Sequence, residues 1–190
     1  MSQATTDKRW SWDEYLAWEQ GQDRKHELVD GRVQAMVGGT GEHDTICNNL
    51  RLELGNALRG QRCRLHGPDL KVRAGQNSRY PDALIDCGER MRGSLTASEP
   101  MAVFEVLSKS TAWIDQTLKL RDYDSVASIR SYVLISQDEP RVLVYTRNES
   151  GQLDNRTAQL LEGLSATLTF AEPALSLSLQ SLYEGVDFVA

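Results

Sequence analysis

Met101-Ala102-Val103-Phe104-Glu105-Val106-Leu107 sets a single carboxylate in the middle of a seven-residue apolar run. Both alternating sets of positions are otherwise apolar, the pattern of a strand covered on both faces. By period-two alternation Glu105 shares a face with Val103 and Leu107. A carboxylate there is costly unless it is protonated, paired or bound to a cation. Two readings stay open: a functional carboxylate, or one held in a structural salt bridge or on an edge strand. A second strand-like run is Tyr80-Pro81-Asp82-Ala83-Leu84-Ile85-Asp86-Cys87. Proline suits the first position of a strand, so Asp82 stands where that strand begins. Alone, an aspartate after proline is ordinary turn chemistry. With Glu105 on a neighbouring strand it makes a pair of hard oxygen ligands suited to Mg²⁺. The backbone carbonyl of Val106 offers a further oxygen.

Downstream, Thr111, Asp115, Lys119 and Tyr123 recur every four residues, a stripe along one helix face. Lys119 on that stripe can reach the carboxylates and offset charge developing on a phosphate. The competing reading is an exposed Asp115–Lys119 pair of little energetic weight. Upstream, Ser11-Trp12-Asp13-Glu14 has capping-box spacing and predicts a helix through about Glu19. Asp30-Gly31 between two apolar runs predicts a tight hairpin. The loop Gly38-Gly39-Thr40-Gly41 lacks the Lys-Ser/Thr of a phosphate-binding loop and reads as a flexible connector to His43. Ile46, Leu50, Leu54, Ala57 and Leu58 then predict an amphipathic helix ending near Gly60. Short strands are expected at Cys63–His66 and Leu70–Arg73, with a loop at Gly75–Arg79. A second hairpin is expected at Tyr132–Ile135 and Val142–Thr146, and a short helix near Leu179–Tyr183.

The 190 residues suit one domain, expected over residues 11–190 behind a flexible tail of residues 1–10. No apolar stretch approaches the length of a membrane span, and the polar start lacks a secretory pattern. Cys47, Cys63 and Cys87 make an odd count without zinc-site spacing and read as structural thiols of a reducing cytoplasm. The net charge of −6 runs against binding a polyanion. Between Arg59 and Arg92, however, eight cations (Arg59, Arg62, Arg64, Lys71, Arg73, Arg79, Arg90, Arg92) face four acids, a local excess of four. That excess is either a basic binding surface or a solvated face. Trp10, Trp12 and Trp18 look exposed enough to serve as an interface.

Several of these segments together resemble the Uma-type restriction-endonuclease family of bacteria. They are Lys25-His26-Glu27-Leu28-Val29-Asp30-Gly31, Met36 through His43, Tyr80-Pro81-Asp82, Phe104 through Thr111, and Asp115-x₃-Lys119-x₃-Tyr123. The likeness runs from about Trp12 to Tyr183. It implies an α/β fold with a restriction-endonuclease-like, PD-(D/E)XK nuclease core: a mixed central sheet flanked by helices, with added N- and C-terminal hairpins. It implies phosphodiester hydrolysis, with Asp82 and Glu105 as ligands of Mg²⁺ (or Mn²⁺), Glu27 as an additional acid, and DNA as the partner. The superfamily's lysine position holds Leu107, and the Uma-type pattern moves the lysine to Lys119, with Lys109 as a fallback. Without the resemblance Glu27 reads as a solvent-facing strand residue. His43 contacts phosphate or orients a carboxylate, or else caps or packs; Tyr123 bonds Lys119 or packs. Cutting both strands commonly calls for two sites, hence an expected homodimer. A nuclease fold that binds nucleic acid without cutting, and an interaction protein with an internally paired Glu105, are the alternatives.

Overall fold

The structure, a computed structural model, describes residues 8–107 and 112–188, with residues 112–116 described by their backbone alone. Its centre is a six-stranded sheet in the order β10-β9-β8-β7-β6-β3, formed by Ala158–Glu162 (β10), Arg141–Thr146 (β9), Ser131–Ser136 (β8), Pro100–Leu107 (β7), Ala83–Asp86 (β6) and Arg64–His66 (β3). The β7–β8 pair is parallel and the other pairs are antiparallel. A parallel pair needs a crossover, and the helix Ala112–Asp124 (α3) supplies it.

Alternation along β7 divides the core. Ala102, Phe104 and Val106 face one cluster, which includes Ile46, Leu50 and Leu54 from the helix Gly41–Ala57 (α2) and Leu179 and Leu182 from the helix Leu179–Leu182 (α4). Val103 faces the other, with Leu84, Tyr123, Ile129 and Tyr132. Strand β7 is therefore covered on both faces, as its apolar run requires. The hairpin Thr167–Phe170 (β11) and Leu175–Ser178 (β12) closes the first cluster.

A second sheet, β2-β1-β5-β4, is built from Arg32–Ala35 (β2), His26–Val29 (β1), Asn77–Arg79 (β5) and Val72–Ala74 (β4). The β1–β2 turn has Asp30 at φ 48° and Gly31 at φ 78°, the positive angles a two-residue hairpin turn demands. Strand β5 replaces the loop expected at Gly75–Arg79. Its residues are polar, so no hydrophobic pattern announces it, yet all three are buried between β1 and β4. The helix Trp12–Glu19 (α1) starts at Ser11 with both halves of the capping box made.

Two expectations are corrected here. Cys63 and Cys87 form a disulfide rather than two thiols, and Cys47 is the buried free cysteine. The cross-link lies directly beyond the Arg64–Asp86 pair of the β3–β6 ladder, where facing residues come close. The compartment expectation loses the support it drew from free thiols, because reducing compartments disfavour such bonds. Trp12 is buried rather than part of an exposed surface, and Trp10 packs on Trp18 with ring centroids 5.3 Å apart. Of the ten residues read as a tail, 1–7 lie outside the described residues, and the Trp10 amide donates to the Gly31 carbonyl. Among the described residues no helix is long and apolar enough to cross a membrane.

The disulfide closes a loop between positions 24 residues apart, a length for which unfolded-state entropy predicts about 3.5 kcal/mol of stabilisation. Cys63→Ser should lower the unfolding free energy in urea by that order. An unchanged midpoint would show that the bond contributes nothing.

Candidate metal and catalytic site

Strands β6 and β7 pair from Ala83 opposite Phe104, so Asp82 and Glu105 are the next residues along each chain beyond that pair. The two carboxylates stand on neighbouring strands, one just before β6 and the other towards the end of β7. Asp82 is fixed by the backbone: its Oδ2 accepts from the Val106 amide at 2.8 Å. The imidazole of His43, in the first turn of α2, lies with Nε2 3.3 Å from the same oxygen. From α3, Lys119 Nζ stands 2.9 Å from Glu105 Oε2, and the Tyr123 hydroxyl donates to Glu105 Oε1 at 2.8 Å. One carboxylate is thus approached from the α2 side and the other from the α3 side.

Burial governs the electrostatics. Glu105 is 4% exposed, and its carboxyl is pushed up to about 7. Desolvation is the main cause; Asp82 and Glu27 add repulsion, while Lys119 pulls the other way. His43 is held above its ordinary value, chiefly by its hydrogen bond to Asp82 and against the effect of burial. Burial pushes the Cys47 thiol up to about 12.

Glu27 is brought to the same region but is not solvent-facing. Its Oε2 accepts from Arg79 Nη1 at 2.8 Å and its Oε1 from the Tyr80 amide at 2.9 Å. Arg79, 2% exposed, also donates through Nε to Asp122 Oδ2 at 2.8 Å, and Asn77 donates to Asp122 Oδ1 at 2.9 Å. This network ties β1, β5 and α3 together around the carboxylates. Val106 contributes its amide to Asp82; Lys109 lies outside the described residues, as does the Asp115 side chain.

Sequence reasoning missed Arg79, Asp122 and Asn77, because charges that pair across 43 or more positions leave no local spacing. It also took Gly39 for a connector. A Cβ at Gly39 would meet His43 Nδ1 at 2.6 Å, so the absence of a side chain there is what lets the imidazole sit where it does. Cys47, one helical turn after His43, was visible as an i, i+4 pair. The local cation excess is partly corrected. Lys71 and Arg79 are buried against Glu19 and against Glu27 and Asp122, so neither adds to a basic surface. Arg64, Arg90 and Arg92 line a cleft of about 480 Å³ with His66, Asp86 and Glu89.

Residues 12–180 match the Uma2 family, described as "Putative restriction endonuclease". The chain belongs to the Uma2 family. Two uncharacterized proteins of Synechocystis sp. are relatives. One is 34% identical over 165 residues, covering 84% of this chain and 87% of the relative. The other is 24% identical over 139 residues, covering 70% and 78%. A crystal structure of a "putative nuclease belonging to DUF820" from Anabaena variabilis superposes with a TM-score of 0.73 at 19% identity, over 91% of this chain and 97% of that one. That likeness shows a shared fold, and the Uma2 chain has the mixed α/β sheet architecture the sequence resemblance implied.

Removing Arg79 would leave the largely buried Glu27 without its cation and the buried Asp122 with the exposed Arg121 guanidinium, at 3.2 Å, as its cation. Arg79→Met should cost about 3–5 kcal/mol in chemical denaturation; a loss below about 1 kcal/mol would show that the network is not structural. The raised Glu105 carboxyl gives a second expectation. Its folded value lies above the ordinary 4.5, so the folded chain holds a proton that the unfolded chain releases. The stability this contributes is full below about pH 4.5 and lost as pH rises through about 7. Denaturation midpoints between pH 5 and 8 should show that decline in the wild type and a shallower one in Glu105→Gln; parallel curves would refute it.

Proposed function

We propose that this chain is a Mg²⁺-dependent endonuclease that hydrolyses phosphodiester bonds in DNA. What supports the reading is the position of Asp82 just before β6 and of Glu105 on the neighbouring β7, close enough for Asp82 to raise the Glu105 carboxyl, with Lys119 on Glu105. Two carboxylates supply the hard oxygens Mg²⁺ prefers, and a pair of them leaves coordination positions for water and substrate phosphate. Asp82, Glu105 and the carbonyl of Val106 are the proposed ligands, and Mn²⁺ is the expected substitute. A cation bound there supplies polarisation of the scissile phosphate and activation of a water. Lys119 holds positive charge beside Glu105, where it offsets charge developing on phosphate. Tyr123 keeps the Glu105 carboxylate from rotating, and the Val106 amide does the same for Asp82. Glu27, locked by Arg79, adds negative charge nearby without being free to move. Cutting both strands of a duplex commonly uses two such sites, so the proposed assembly is a homodimer.

One observation favours a second reading. Glu105 is already satisfied by Lys119 and Tyr123, as it would be in a nuclease fold whose carboxylate serves structure alone. Cleavage assays on plasmid DNA, single-stranded DNA and RNA, each with Mg²⁺, Mn²⁺ or a chelator, separate the two. We expect metal-dependent cleavage of DNA, abolished in Asp82→Ala and Glu105→Gln and reduced about 10²–10³-fold in Lys119→Ala. Cleavage that survives in Asp82→Ala would sink the assignment. Retention of DNA with no cleavage in any metal would favour the second reading.

A further inference from the structure

We propose that His43, Cys47 and Asp82 form a second, softer cation site that takes a thiophilic divalent ion, with Zn²⁺ as the probe, and competes with Mg²⁺ for Asp82. His43 and Cys47 lie four positions apart, one above the other on the first turns of α2. Asp82 comes to them from the start of β6. One donor atom from each of the three lies within 4.8 Å of the others, the one such group of His, Cys, Asp or Glu side chains among the described residues. Two contacts within the group are already close: His43 Nε2 is 3.3 Å from Asp82 Oδ2, and Cys47 Sγ is 3.6 Å from His43 Nδ1.

Ligand chemistry sets the kind of ion. A thiolate and an imidazole are poor ligands for Mg²⁺ and good ones for Zn²⁺. Tetrahedral Zn²⁺ bound through S, N and O holds its donors about 3.3–3.8 Å apart. The two close contacts use opposite nitrogens of the His43 ring, of which one serves the ion; with one donor from each residue the group lies within 4.8 Å and closes by up to about 1 Å, through rotation of the His43 and Cys47 side chains. Three protein donors plus one water is also the arrangement of zinc sites that keep an open position. On ligation the Cys47 thiol releases its proton to solvent, and the sulfur lone pair forms the metal bond. The approach is built: Gly39, Thr40, Asp44 and Arg51 border a cleft of about 330 Å³ into which the three ligands open. Gly39 leaves the imidazole its place, as described above.

The soft site stands on this geometry alone. The competition rests on the reading of Asp82 as a Mg²⁺ ligand, because one Asp82 carboxylate bound to Zn²⁺ is no longer available in its Mg²⁺-binding geometry.

The test uses the full chain with its Cys63–Cys87 bond intact. Co²⁺ is titrated as a spectroscopic stand-in for Zn²⁺, and Zn²⁺ binding is followed by calorimetry. The expected result is a thiolate-to-Co²⁺ charge-transfer band in the wild type and in Glu105→Gln. That band should be absent in Cys47→Ser, with Zn²⁺ affinity down about 100-fold or more in both Cys47→Ser and His43→Ala. His43→Ala guards against a Cys47→Ser chain that fails to fold. No Co²⁺ band in the wild type, a band that survives Cys47→Ser, or binding lost in Glu105→Gln but kept in His43→Ala would each overturn the site. With DNA cleavage as the readout, Zn²⁺ should inhibit the Mg²⁺ reaction, and the inhibiting concentration should rise about tenfold or more in Cys47→Ser; an unchanged inhibiting concentration would overturn the competition. A Zn²⁺ site in a chain that never cuts DNA would sink the nuclease reading alone. Cutting without a Zn²⁺ site would sink this inference alone.

Discussion

A carboxylate in a strand covered on both faces has to be reconciled with its surroundings, and in this chain that reconciliation shapes one whole side of the molecule. Glu105 shares its sheet face with Val103 and lies beneath α3. Water is largely excluded, so the charge is met by Lys119 and the remaining oxygen by the Tyr123 hydroxyl, both from that helix. Residues four apart on a helix stack on one face, so a single helix can present both partners to one carboxylate. The crossover that makes β7 and β8 parallel is also the element that makes Glu105 tolerable.

A second tier of buried charge lies behind the first. Arg79 is held between Glu27 and Asp122, with Asn77 completing Asp122. Fully desolvated pairs of this kind add little net stability compared with apolar packing, but losing one partner is severe. Their effect is to fix positions. Glu27 sits on β1 of the smaller sheet, Asp122 on α3 above the larger one, and Arg79 on β5 joins the two. The acidic residues near Glu105 are therefore held by connections running through both sheets.

Asp82 is positioned differently. It stands just outside β6, where the Val106 amide and the His43 ring both reach its Oδ2. The α2 end that brings His43 also brings Cys47 and rests on the small footprint of Gly39. The site is thus assembled from two halves, a buried one under α3 and a more open one at the start of α2.

The sequence by itself determined most of the local elements and the place of Glu105 within a strand apolar on both faces. The capping box at Ser11, the Asp30-Gly31 turn, the periodicity of α2 and the doubly apolar run around Glu105 are local patterns, and local patterns survive translation into backbone geometry. The four-residue stripe likewise placed Lys119 and Tyr123 on one face before any partner was known. What only the tertiary structure decided were relations between distant segments. Strand β5 is polar and owes its pairing to β1 and β4; Arg79 owes its burial to acids 52 and 43 positions away. Cys63 and Cys87 bond because the β3–β6 register sets them opposite each other, and nothing in an odd count of cysteines shows that register. Trp12 left the surface for the same reason: whether an aromatic side chain is covered depends on what packs over it. Periodicity fixes which side of its own element a residue faces, and the packing of other elements determines what it meets there.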